Sequence, residues 1–121
     1  MVTFNLNHMI YNQFQECIDV CLECASICNQ TTNACLNSFN VKELRRCIQL
    51  ASDCADVATV AAELMARNSD FAERFCQLCV NTCNACAAEC DRFAAMNEHC
   101  KLCAEACRFC AFKCEEITVA A

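Results

Sequence analysis

The stretch Cys76-Gln-Leu-Cys79-Val-Asn-Thr-Cys83-Asn-Ala-Cys86-Ala-Ala-Glu-Cys90 decides the fold. Its cysteines recur at alternating steps of three and four residues, which lays them along one stripe of an α-helix. A strand would need a period of two. The same spacing returns in Cys100-Lys-Leu-Cys103-Ala-Glu-Ala-Cys107-Arg-Phe-Cys110-Ala-Phe-Lys-Cys114, so the second half carries one repeated helix. Working outward, Ala72 and Phe93 extend the first stripe and Ile117 extends the second. A helix upstream reads Ile10, Phe14, Cys17, Cys21, Cys24, Cys28, Thr31, Cys35, and the next reads Leu44, Cys47, Ala51, Cys54, Ala58, Ala61, Met65. All 17 cysteines fall on these a/d seams, so the cysteines are the core.

The spacing predicts helices over 6–37, 41–66, 71–95 and 98–118. Asn40-Val-Lys-Glu43 and Asp70-Phe-Ala-Glu73 have the form of capping boxes, and Asn97 is placed to cap the last helix. The chain contains no Gly and no Pro, the residues that tight hairpins and left-handed turns draw on. Short connections make consecutive helices antiparallel neighbours. The expected fold is all-α, an antiparallel up-down-up-down four-helix bundle with a cysteine-lined core, formed as one domain over residues 1–121.

Composition excludes several function classes. Net charge is −6 and the nine Lys and Arg are scattered, so no basic stripe points to nucleic acid. No run approaches the ~18 apolar residues of a membrane span. The N-terminus shows no basic region leading into an apolar one, so no secretory signal is expected and the location is read as cytoplasmic, where thiols stay reduced. No Ser-His-Asp set, carboxylate dyad or phosphate-binding Gly loop is present, and no enzyme is expected.

One or two cysteines on a seam would be ordinary packing, because a free Cys behaves as a small hydrophobe. Seventeen are not, since Ala or Leu would pack as well without oxidising. Disulfides fit poorly: Cα–Cβ directions at i and i+4 are nearly parallel, and an odd cysteine count in a reducing compartment opposes a disulfide framework. Metal binding remains, and thiolates select copper(I), zinc or iron–sulfur clusters. Tetrahedral zinc on four thiolates leaves two uncancelled negative charges per site, and burying several such sites in one narrow core is costly. A monovalent ion cancels one thiolate, so a core can take up roughly one copper(I) per cysteine and approach neutrality. Neighbouring thiolates on one helix, with Cβ atoms ~5–6 Å apart, can bridge an ion that accepts two ligands. Iron–sulfur clusters usually draw their cysteines from loops, which this helical pattern lacks. The expected metal ligands are Cys17, Cys21, Cys24, Cys28, Cys35, Cys47, Cys54, Cys76, Cys79, Cys83, Cys86, Cys90, Cys100, Cys103, Cys107, Cys110 and Cys114, with multiple Cu(I) ions as cargo.

Up-down topology gathers Ile10, Phe14, Ala58, Ala61, Met65, Ala72 and Ile117 at one end as an apolar plug. Cys35, Cys47, Cys90 and Cys100 approach the opposite end, beside Met96, Asn97 and His99. Copper is expected to enter there, with His99 as an auxiliary nitrogen ligand and Met96 as a candidate thioether ligand. His8, at the plug end, is read as a surface residue. Thr31 is read as structural, its hydroxyl returned to a carbonyl one turn earlier.

The Cys17-x₃-Cys21-x₂-Cys24-x₃-Cys28 stripe, the five-cysteine stripes 76–90 and 100–114, and the sparser Cys47 and Cys54 closely resemble the bacterial cytosolic copper storage proteins. The resemblance covers nearly the whole chain. It implies a preformed bundle whose thiolates bind many copper(I) ions, a homotetramer, and entry at an open end with His or Met nearby, a place that His99 and Met96 match. Outside the seams, Phe71 and Leu78 on the third helix and Leu102, Phe109 and Phe112 on the fourth form aligned apolar rows, and self-association through these helices is expected. The function read from the residues is storage of many Cu(I) ions. The alternatives are a general thiolate buffer for zinc, cadmium or silver, and an iron–sulfur electron carrier.

Overall fold

The computed structural model describes residues 12–120. Four helices follow one another: α1 Gln15–Leu36, α2 Arg45–Ala66, α3 Ala72–Asp91 and α4 Glu98–Ala120. Each packs on its neighbours in chain order, and α4 closes on α1, giving an up-down-up-down bundle. The shortest helix has 20 residues, so the bundle is about 30 Å long.

Two rows hold the helices together. The first is the predicted seam. The second is a flanking row of Ala25, Ala55, Ala62, Ala87, Ala104 and Ala111, all buried. Interaxial distance depends on the side chains at the contact. Alanine in this row lets the helices approach closely enough for short cysteine side chains on different helices to meet.

The ends of the elements depart from the sequence expectation. Position 6 and the rest of the stretch before residue 12 lie outside the described residues, as do Ile10 and His8. Asn12 forms a turn, its Oδ1 accepting from the Phe14 N–H at 2.8 Å, while its Nδ2 donates to the Met65 carbonyl at 3.2 Å. That clip joins the entry of α1 to the exit of α2. Neither capping box forms. Residues 41–44 are a turn, the N-cap of α2 is Leu44, and the N-cap of α3 is Phe71, neither with a side-chain cap bond. Burial decides both: Leu44 is fully buried, and seating it in the core sets the start of α2. At α3, Ser69 Oγ accepts from the Phe71 N–H at 3.1 Å instead of Asp70 serving as the cap. Helix α3 stops at Asp91, before the expected 95, and 92–96 form turns.

The lack of glycine is met by Asn68, which takes a left-handed φ of 51° after α2. The Ser69 N–H then bonds the Leu64 carbonyl at 2.9 Å and the Asn68 N–H bonds the Met65 carbonyl at 3.1 Å, the paired closure usually built on Gly. At the end of α1, Asn37 Nδ2 donates to the Asn33 carbonyl at 2.8 Å and Ser38 Oγ to the Ala34 carbonyl at 2.9 Å. These bonds satisfy carbonyls that the helix end leaves free.

Candidate metal centre

All 17 cysteines are buried free thiols. They come from all four helices and meet across the axis. Sulfur neighbours follow one another from Cys17 to Cys114 at 3.8 Å, to Cys21 at 3.6 Å, to Cys110 at 3.8 Å and to Cys79 at 3.8 Å. The file continues to Cys83 at 3.8 Å, Cys54 at 3.4 Å, Cys107 at 3.9 Å, Cys28 at 3.7 Å, Cys103 at 3.9 Å and Cys86 at 3.8 Å. Almost every step crosses between helices. The result is a zigzag of sulfur running along the bundle.

Several sulfurs also converge in groups whose ligand atoms lie within 4.8 Å of one another. Cys21, Cys79, Cys110 and Cys114 form one group; Cys24, Cys28, Cys54 and Cys107 form another; Cys28, Cys86, Cys103 and Cys107 form a third that shares sulfurs with the second. Cys24, Cys83 and Cys110 join the first two. Shared sulfurs are what a multi-ion thiolate cluster requires, because one thiolate can bridge two ions. Thr31 is the buried polar residue among the described residues, and no carboxylate or cationic side chain accompanies the thiols in the core.

The thiols divide their protons unequally. Cys54 is held below the ordinary thiol range because Cys107, Cys24, Cys28 and Cys83 all turn toward it. Cys28 is held well above that range, first by Cys103 and then by Cys107. Burial itself pushes Cys35 up to about 11 and Cys100 up to about 12. A metal ion bound at either sulfur would displace a thiol proton.

The ends of the file differ. At one end Ala58, Ala61, Met65 and Ala72 are buried, with Phe14 and Ile117 packed against them, as the plug expected from sequence; Ile10 lies outside the described residues. A Lys113–Glu16 ion pair of 2.6 Å ties α4 to α1 nearby. At the other end Cys35, Cys47, Cys90 and Cys100 sit together as the helix register requires, and a ring nitrogen of His99 lies within 4.8 Å of the Cys35 and Cys100 sulfurs. His99 Nε2 is buried without a hydrogen-bond partner among the described residues, an orphan that a metal ion would satisfy. Met96 is 71% exposed and faces solvent. This end is not open across its width: buried Leu44 and Phe93 cover the α2–α3 side. Sequence reading placed both on the seam and missed their role as a lid. The α1–α4 side instead carries a groove of about 550 Å³ whose lining includes Glu23, Ile27, Thr31, His99, Leu102 and Glu105. Thr31 Oγ1 donates to the Ile27 carbonyl at 2.9 Å, as expected, and also lies 3.5 Å from the His99 carbonyl.

Comparison with known proteins agrees with this geometry. No curated protein sequence matches the chain. Among solved structures, the chain is similar to a cytosolic copper storage protein from Streptomyces lividans, in a structure of its loading with five coppers. Identity is 40% and the TM-score 0.85, over 88% of this chain and 92% of that one. The copper storage protein from the same organism loaded with 10 copper equivalents is 36% identical, with a TM-score of 0.87 over 99% and 94% of the two chains. Copper storage protein 3 from Bacillus subtilis, in its apo form, is 34% identical, with a TM-score of 0.80 over 87% and 98%. The sequence profile of the copper storage proteins matches residues 10–119, and this bundle with a sulfur-lined axis belongs to that family.

Proposed function

We propose that the chain stores copper(I) in the cytoplasm, holding many ions on its 17 buried cysteines, with His99 as an auxiliary ligand at the lidded end. The observation that carries this reading is the continuous file of free thiols 3.4–3.9 Å apart with no other charged group in the core. Soft sulfur selects copper(I), and a monovalent ion on each thiolate keeps the core near neutrality. The role is storage without turnover, since the core offers ligands and no separate acid or base. No helix among the described residues is long and apolar enough to cross a membrane.

Metal-free protein offered equal copper(I) and zinc under nitrogen, then desalted, is expected to retain several copper ions per chain and little zinc by elemental mass spectrometry. Zinc retained in preference to copper would make the chain a general thiolate buffer.

His99→Ala is expected to slow copper uptake by about tenfold while leaving the final number of ions nearly unchanged, because one of many ligands is lost at the point of entry. Unchanged stopped-flow uptake would remove His99 from the route.

The chain also self-associates in this reading. Phe71 at the N-cap of α3, Leu78 on α3, and Leu102, Phe109 and Phe112 on α4 are each about half exposed. A tetramer, as the family resemblance implies, would cover these rows. Phe109→Glu with Phe112→Glu is expected to shift sedimentation from oligomer toward monomer at micromolar concentration; a wild-type monomer would contradict it.

A further inference from the structure

The file of sulfur contacts of 3.4–3.9 Å ends at Cys86; beyond it Cys90 turns toward Cys103 and Cys47, and Cys35 turns toward Cys100. Four seam positions make up the tier at that point. Thr32 Oγ1 lies 3.4 Å from Ser52 Oγ, which sets Thr31 and Ala51 on α1 and α2 within about 3 Å of one level. The Cys54–Cys83 contact of 3.4 Å, counted one turn onward along antiparallel helices, sets Ala51 level with Cys86. Cys86 in turn meets Cys103 at 3.8 Å. Of this tier's four seam positions only those on α3 and α4 carry sulfur, and Cys28 Sγ approaches both within 4.8 Å from the inner side. The tier's α1–α2 half offers a methyl group and a hydroxyl already committed to the Ile27 carbonyl at 2.9 Å.

Copper(I) moves between thiolates by exchange, in which an incoming sulfur binds before the outgoing one leaves. A hydroxyl or methyl group supplies no soft ligand for that step. Crossing beside Thr31 and Ala51 would require a partly stripped cation in an apolar passage, which is costly. Crossing beside Cys86 and Cys103 does not. Cys90 lies one turn beyond Cys86 on α3 and faces Cys103, while Cys103 continues to Cys28 at 3.9 Å.

We propose that the Thr31–Ala51 tier divides the store into two compartments: a small outer pool on Cys35, Cys47, Cys90, Cys100 and His99, and a large inner pool, joined through Cys86 and Cys103 alone. Transfer inward forms a copper bond to Cys103 as the bond to Cys90 breaks. The Cys103 proton leaves and Cys90 takes one up. Copper remains monovalent and the net charge of the core is unchanged. The outer pool exchanges quickly with the surroundings, and the inner pool exchanges slowly through the narrow passage. This division rests on the storage reading above.

The test uses fully loaded full-length protein mixed anaerobically with excess coloured copper(I) chelator. Wild-type protein is expected to release copper in two phases, the faster corresponding to a minority of the ions. Thr31→Cys, which places a sulfur in the blocked half of the tier, is expected to speed the slow phase by about tenfold and leave the fast phase in place. Cys86→Ser with Cys103→Ser is expected to slow it by a similar factor. In a second readout, two ions are added per metal-free chain and free thiols are alkylated at intervals. Protection is expected first at Cys35 and Cys100 and later at Cys28 and Cys107. A single release phase from a chain holding many ions would overturn the division, as would a slow phase indifferent to Thr31→Cys. Protection of Cys28 and Cys107 from the first interval would overturn it too. A wild-type chain that holds only a few ions would instead overturn the storage reading itself, before any phase is examined.

Discussion

Loading with copper(I) is expected to raise the melting temperature of this bundle by more than about 20 °C. Ligand that binds only the native state stabilises it by mass action, and one site held at a thousand times its dissociation constant contributes ~4.1 kcal/mol. For a chain of this length 1 kcal/mol moves the midpoint by about 3–6 °C, so even two such sites reach that figure. The metal-free protein is expected to be helical already. Met65 and Leu44 are fully buried, the alanine row is packed, and the helix ends are closed by Asn68, Asn37 and Ser38. Stability should also depend on pH in opposite senses with and without metal. Burial raises Cys35 from about 9 to about 11 and Cys100 from about 9 to about 12. Between those values the unfolded chain has lost protons that the native chain keeps, so stability falls as pH rises. Their contribution is fully present below about pH 9 and lost as pH passes 11 to 12. Copper held on the same sulfurs would keep them as thiolates, and acid is then the expected destabilising direction because protons compete with the metal. Thermal melts followed by far-UV circular dichroism at pH 7 and pH 10.5, with and without copper, read all of this. A random-coil spectrum for the metal-free chain, or a midpoint indifferent to loading, would contradict the preformed bundle.

Replacing Cys24, Cys28, Cys54 and Cys107 with serine is expected to lower copper capacity by roughly a quarter or more. These four sulfurs lie within 4.8 Å of one another and are four of the 17 cysteines. At roughly one monovalent ion per thiolate their loss removes about four ions. Cys28, Cys54 and Cys107 are also consecutive links of the file, so the break separates its two halves. Serine is close in size to cysteine, but its hydroxyl is a hard donor that stays protonated at neutral pH and does not replace thiolate for copper(I). A buried hydroxyl on a helix can return its proton to the carbonyl one turn back, as Thr31 does at 2.9 Å. The variant should therefore fold, at a cost of about 1 kcal/mol for each hydroxyl poorly placed. Copper per chain after desalting, alongside a far-UV spectrum, measures both effects. Unchanged capacity in a folded variant would show that these sulfurs are packing and not ligands.

Much of this was legible in the residues because helical periodicity is a one-dimensional property. The alternation of three and four in 76–90 and 100–114 assigns helix, seam and core together, and every seam cysteine is buried as it requires. What eluded the sequence lies between helices or in special backbone. The zigzag from Cys17 to Cys86 depends on how far each helix slides against the next, and spacing within one helix carries no record of that register. The start of α2 was misplaced because Leu44 competes with Asn40 for control of the chain, and burying a large apolar side chain outweighs the cap even though Asn40 Oδ1 is left buried without a partner among the described residues. Asn68 escaped notice because a left-handed closure is expected from glycine, and this chain has none. Thr31 was read correctly as structural, yet its consequence for the sulfur file appears only when it is set level with Ala51, Cys86 and Cys103.

The central claim is that one chain holds many copper(I) ions, and its most direct test is an anaerobic titration of fully reduced, metal-free protein against a coloured copper(I) chelator. Uptake of roughly one ion per cysteine, with the chelator colouring only after that point, is the predicted result. Colour that develops after the first few ions, with most thiols still free, would contradict it.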